Sequence, residues 1–143
     1  MHARNLAAGV LLALPSMFWT AGTAPAKDIQ PVMPLLNDST TVLGQPFAYP
    51  SEGTPKIQSV IVTMQPGEQT GPHRHPFPTF GYILEGEVTV DYANGVSKTY
   101  HEGDALLEAI DMSHNGRNTG TEPVRILVVF TGVDGQPNSL PQK

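Results

Sequence analysis

The chain contains no cysteine. That excludes disulfide staples, thiol redox pairs, cysteine nucleophiles and thiolate metal ligands, so any metal must be held by nitrogen and oxygen. Charge is also scarce. Eight Lys and Arg stand against thirteen Asp and Glu, for a formal net charge of −5, with no basic stripe of the kind that neutralises phosphates. No nucleic-acid partner is expected. The sequence has no Ser-His-Asp arrangement, no phosphate-cradling glycine loop and no dinucleotide fingerprint, which leaves hydrolase, kinase and nicotinamide readings without support. Apolar runs approaching the ~20 residues of a spanning helix are missing too.

The longest apolar stretch lies at the start. Met1-His2-Ala3-Arg4 is short and basic, Leu6 to Trp19 is apolar but interrupted by Pro15, and Ala24-Pro25-Ala26 places small residues where a signal peptidase reads. Residues 1–26 are expected to be a signal peptide cleaved after Ala26, giving a periplasmic or secreted protein. The competing reading, an uncleaved anchor, is disfavoured by the short apolar run. Beyond the leader there is no basic amphipathic helix, so no stable membrane association is expected after cleavage.

With 143 residues and a removable leader, the chain is the size of one small domain with one core. Residues 27–55 are rich in Pro, Thr, Ser and Gly, show no helical period, and predict an extended arm. From Lys56 the texture changes to short β-branched runs cut by turn residues, the pattern of an antiparallel sandwich or barrel. Strands are expected at Ile57 to Met64, around His73-Arg74-His75, and at Thr79 to Leu84, Val88 to Tyr92, Val96 to Tyr100, Ala105 to Glu108 and Val124 to Phe130. Asn94-Gly95 marks a hairpin. Residues 132–143, with two prolines and no apolar pattern, read as a loose tail.

Two histidines stand out. His73 and His75, one residue apart, must share a face if they lie on a strand. His114 follows a second glycine-led segment that starts at Gly103. Neutral imidazoles converging on one side of a sheet suit a divalent transition metal: iron, manganese, nickel, copper or zinc. Taken singly, each histidine would be an ordinary core or surface residue.

The two segments resemble the motifs of the cupin superfamily. Gly67, His73, His75 and Gly86 fall in register with its first motif, and Gly103, His114 and Asn118 with its second. The resemblance spans residues 57 to 131. It implies an all-β, antiparallel double-stranded β-helix (a jelly-roll barrel) over residues 56–131, with a metal held by His73, His75 and His114. It also implies an arm that packs on a neighbouring subunit in a homodimer, the alternative being an exposed, partly ordered segment. Two departures stand in the motifs. Thr79 occupies the position of the family's carboxylate ligand, and Ala109-Ile110-Asp111 replaces its Pro-x-Gly turn. Glu68, Gln69 and Glu108 are alternative oxygen donors, none at the family's ligand position.

Three-histidine sites without the carboxylate occur within the superfamily in iron enzymes where substrate and dioxygen both coordinate, so the resemblance suggests a metal-dependent dioxygenase of a small organic molecule. A non-catalytic module for a small ligand or metal, and a metal-dependent isomerase or lyase, are the other readings. Alternation turns Thr79, Gly81 and Ile83 inward. Gly81 either leaves space beside the metal or eases the curvature of the strand. Phe77 and Met112 are candidate walls of the substrate pocket and, by type, also ordinary core residues. Arg117 could anchor an anionic substrate or pair with a surface carboxylate; His101 lies outside both motifs and reads as a surface residue.

Overall fold

The computed structural model describes residues 32–142; the expected signal peptide and its cleavage point lie outside them. Nine strands follow one another along the chain: β1 (Pro55–Met64), β2 (His73–Arg74), β3 (Thr79–Glu85), β4 (Glu87–Tyr92), β5 (Ser97–His101), β6 (Ala105–Leu107), β7 (His114–Arg117), β8 (Val124–Val133) and β9 (Leu140–Pro141). Among the described residues there is no helix, hence none long and apolar enough to cross a membrane. The strands form two antiparallel sheets, of order β1-β8-β3-β6 and β5-β4-β7-β2-β9. The fold is an all-β double-stranded β-helix.

Alternation decides which side chains meet between the sheets. The four-stranded sheet sends Val62, Met64, Ile83, Leu106, Ile126 and Val128 inward against Val88 and Val90 of β4. Ile83 is 1 % exposed and Val124 is fully buried. Burial of one such side chain contributes about 1.5–3 kcal/mol. The chain passes from β3 to β4 through Gly86, whose φ of 75° is left-handed and whose absent Cβ would come within 2.6 Å of the Pro123 carbonyl oxygen. Only glycine meets both conditions.

Asn118 secures the far end of β7. Buried to 2 % exposure, it donates from Nδ2 to the carbonyls of Met64 and Glu122, while its Oδ1 accepts from the Gly120 amide. One side chain thus joins the end of β1 to the loop before β8.

Two segments depart from the expectations. The stretch expected to be a loose tail from residue 132 continues β8 to Val133 and then forms β9, which pairs with β2 through His73 opposite Pro141 and Arg74 opposite Leu140. Strand β7, His-Asn-Gly-Arg, carries no β-branched residue and left no strand signal of its own; its ladders with β4 and β2 hold it extended. Residues 32–54 bear only an isolated bridge between Thr40 and Pro46, and the Gln45 amide fixes them to the barrel by donating to the Ile110 carbonyl and accepting from its amide.

Candidate metal centre

His73 and His114 are direct partners in the β2–β7 ladder, which puts their imidazoles side by side on one face. His75 lies just beyond β2, bridged to Ile110, and its ring closes the triangle. The centroids are 4.9 Å apart for His73 and His75, 4.5 Å for His73 and His114, and 5.1 Å for His75 and His114. One nitrogen from each ring can be chosen so that all lie within 4.8 Å of one another.

The other nitrogens explain this convergence. Nδ1 of His73 sits 2.8 Å from the Gly71 carbonyl, Nδ1 of His75 2.8 Å from that of Asn138, and Nδ1 of His114 2.9 Å from that of Met112. A carbonyl only accepts, so each Nδ1 must carry the hydrogen and each Nε2 is left with a lone pair. Locking the second ring nitrogen in this way is how proteins orient metal-binding histidines. His114 Nε2 is buried with no hydrogen-bond partner. An unpartnered buried nitrogen costs free energy that coordination of a cation would offset, so the donor set fits a divalent metal.

Burial keeps all three imidazoles neutral. It lowers the pKa of His73 and of His114 below the ordinary 6.5, and takes that of His75 down to about 4. A neutral ring is the form that binds metal.

The imidazoles border a cavity of about 340 Å³ between the two sheets, within the usual range for small-molecule sites. Its polar side chains are Thr70, His73, His75, Glu108, His114 and Ser139; the rest of its wall is chiefly aliphatic, with the Phe130 ring tilted against that of His75 at a centroid distance of 5.5 Å. None of the described lining residues is Lys or Arg.

Four residues expected near the pocket lie elsewhere. Thr79 is inward but packed at 1 % exposure, its hydroxyl donating to the Phe77 carbonyl. Gly81 leaves no open space, because a Cβ there would come within 3.0 Å of the Leu106 side chain, which fills the position and itself walls the cavity. Phe77 faces a separate surface hollow beside Tyr49 and Asp111. Met112 packs against the core, and its carbonyl rather than its side chain serves the site. Arg117 pairs with Asp91 at 2.7 Å, the bland alternative, and His101 is exposed.

Glu108 is the residue whose place the sequence understated. Its Oε2 lies 3.9 Å from His114 Nε2 and 3.5 Å from the Tyr92 hydroxyl. Burial raises its pKa to about 7. Spacing along the chain gives no hint of this, because the carboxylate arrives by strand pairing. The replaced turn also has a physical account: Asp111 adopts a left-handed φ of 52°, a conformation that Asp tolerates better than most residues, and is tied down by an ion pair with Arg74 and by its amide donating to the His75 carbonyl.

Residues 60–130 match the cupin domain. With the double-stranded β-helix and the histidine cluster, this places the chain in the cupin superfamily. Among curated proteins it is similar to a polyketide synthase protein, CurC, of Streptomyces cyaneus, with 32% identity over 79 residues, covering 54% of this chain and 51% of that protein. Among solved structures it is similar to the oxalate decarboxylase of Lactobacillus farciminis, with 27% identity, a TM-score of 0.51, and coverage of 59% of this chain and 26% of that one. A conserved protein with a double-stranded β-helix domain from Klebsiella pneumoniae aligns at 22% identity and a TM-score of 0.52, covering 68% and 87% of the two chains. The chain thus spans about half the length of the curated relative and about a quarter of the decarboxylase.

Proposed function

We propose that this protein is a metal-dependent dioxygenase of a small, largely apolar organic molecule, with His73, His75 and His114 holding one divalent transition metal. One observation carries the reading: three imidazoles, each tied through Nδ1 to a main-chain carbonyl, direct their Nε2 lone pairs together beside an apolar cavity. Three protein nitrogens leave further coordination positions open, where a bound metal supplies Lewis-acid or redox activation of substrate oxygen and dioxygen. The chain's own residues do the rest. Aliphatic walls from β1, β3, β4 and β8 exclude water and hold an apolar body, Phe130 packs its tilted ring against His75, and Glu108 presents a carboxyl group to the polar end.

The lining also argues about substrate. The oxalate decarboxylase relative acts on a dicarboxylate, but a doubly anionic molecule would find no Lys or Arg among the described lining residues here and would face Glu108. A neutral molecule with one or two oxygen donors fits better, in keeping with the polyketide connection of the CurC relative. Oxygen uptake by iron-loaded protein with neutral, oxygen-bearing aromatic or diketone candidates tests the reading. Uptake that needs both metal and substrate is the expected result; tight ligand binding without turnover would make the protein a binding module instead.

Export and self-association complete the proposal. Residues 1–26 act as a signal peptide, so protein recovered from the periplasm or medium should start near Lys27 by mass spectrometry. The outer face of edge strand β1 exposes Ile57 at 74 % and Ile61 at 52 %, an apolar surface suited to a homodimer. Ile61→Asp should shift the mass by light scattering to that of a monomer.

A further inference from the structure

We propose that Glu108 is the fourth protein ligand of the metal, supplying from the neighbouring strand the carboxylate that the first histidine segment lacks at Thr79. The inference rests on the three-histidine reading above and deepens it.

Strands β3 and β6 pair with Phe80 opposite Leu107, so the next residues along, Thr79 and Glu108, also stand opposite; the Glu108 amide donates to the Thr79 carbonyl at 2.8 Å. Directly opposed residues of an antiparallel pair project to the same face. Glu108 therefore extends over the ground that a side chain at residue 79 would cover, while the short Thr79 turns back on the Phe77 carbonyl. The two facts fit together. A glutamate at 79 would compete with Glu108 for one place.

The distance to His114 agrees with this placement; the Glu108 carboxylate lies outside the group of three histidine nitrogens that fall within 4.8 Å of one another, so it turns toward the ion on binding. Two donors each about 2.0–2.2 Å from one ion lie no more than about 4.4 Å apart, and Glu108 Oε2 is 3.9 Å from His114 Nε2, the buried nitrogen with no partner. The nearest hydrogen-bond donor to that carboxylate is the Tyr92 hydroxyl at 3.5 Å, too long to stabilise a buried charge, and no Lys or Arg lines the cavity among the described residues. A desolvated carboxylate beside an unpartnered imidazole nitrogen, with no cationic side chain in reach, is a cation site. Adding a hard anionic oxygen to three imidazoles favours manganese, iron or zinc over copper(I), and keeps part of the coordination sphere open for substrate.

The test is a calorimetric titration of manganese(II) into the full-length metal-free protein, with circular dichroism to show that each variant folds. Mutation of groups that merely support a ligand weakens binding by about 10–100-fold, so loss of a direct ligand should exceed that: Glu108→Gln is expected to weaken manganese binding by more than about 100-fold. Moving the carboxylate across the ladder, with Thr79→Glu and Glu108→Thr together, should restore most of the affinity, which a purely structural role for Glu108 would not allow. A smaller loss in Glu108→Gln, or a folded double variant that stays as weak as Glu108→Gln, would overturn the proposal. If Glu108→Gln binds normally while His75→Ala loses the metal, the three-histidine reading survives alone; if both bind normally, both fall.

Discussion

The two glycine-led segments that build the centre depart in opposite ways from the motifs they resemble. The first, Gly67 to Gly86, has both histidines and left-handed glycines but carries the hydroxyl of Thr79 where the motif it resembles has an acid. The second, Gly103 to Asn118, has the histidine and asparagine of the motif it resembles, lacks the proline and glycine of that motif's turn, and brings a half-buried acid, Glu108, to the cavity. The difference teaches that the ladder has to be read beside the motif: Thr79 and Glu108 stand opposite each other across β3 and the end of β6, and Asp111 holds a left-handed φ beside Arg74.

The largest expected effects come from the residues both segments retain. His73→Ala, His75→Ala or His114→Ala should each abolish stoichiometric metal binding, because two imidazoles are too few fixed donors, whereas His101→Ala should bind one ion per chain as before. Metal content measured after dialysis against free metal checks this. Equal content in all four would break the link between the segments and the site.

Next comes Asn118, which holds the second segment against β1. Asn118→Ala removes three hydrogen bonds and strands the buried Met64 carbonyl and the part-buried Glu122 carbonyl, for an expected loss of about 2–3 kcal/mol in chemical denaturation. The turn should respond less. Asp111→Ala forces a left-handed φ on a residue without a compensating side chain, costing about 1–2 kcal/mol, and Asp111→Gly should cost less than Asp111→Ala despite losing the same ion pair. If glycine is the worse of the two, the ion pair with Arg74 rather than the backbone decides that turn.

The smallest effect is a pH dependence of the metal-free protein, and here the segments oppose each other. His75 is lowered from 6.5 to about 4, so between those values the unfolded chain binds the proton first and stability rises with pH. Glu108 is raised from 4.5 to about 7, so in that window the folded chain keeps a proton the unfolded chain releases, and stability falls with pH. The Glu108 slope offsets part of the rise, to which the lowered pKa values of His73 and His114 also contribute. Glu108→Gln removes that offset and should leave thermal stability rising from pH 4 to 6.5; a flat profile in that variant would show that the imidazoles are not held neutral by burial.

Much of this was legible in the chain. The His-x-His spacing, with a third histidine after a second glycine-led segment, points to the cluster the structure brings together and to β2, and the apolar and β-branched runs mark six further strands. The remainder depended on pairing. Strand β7 has no strand-forming side chains and β9 is two residues including a proline, so both exist only because β2 and β4 offer them ladders. The carbonyl of Asn138, which orients His75 from the C-terminal segment, and Glu108, which reaches the cavity from β6, lie at sequence separations that no local pattern reports. Gly81 carries two readings in the sequence, space beside the metal or relief of strand curvature, and Leu106, which fills the gap, removes the first.

The central claim is that three Nε2 atoms hold one ion. Anomalous diffraction at the metal edge from crystals of the manganese- or zinc-loaded protein tests it most directly. One anomalous peak per chain is expected, about 2.0–2.3 Å from Nε2 of His73, His75 and His114, with each Nδ1 still donating to its carbonyl. A peak elsewhere, or an ion bound through Nδ1 with those hydrogen bonds broken, would contradict it.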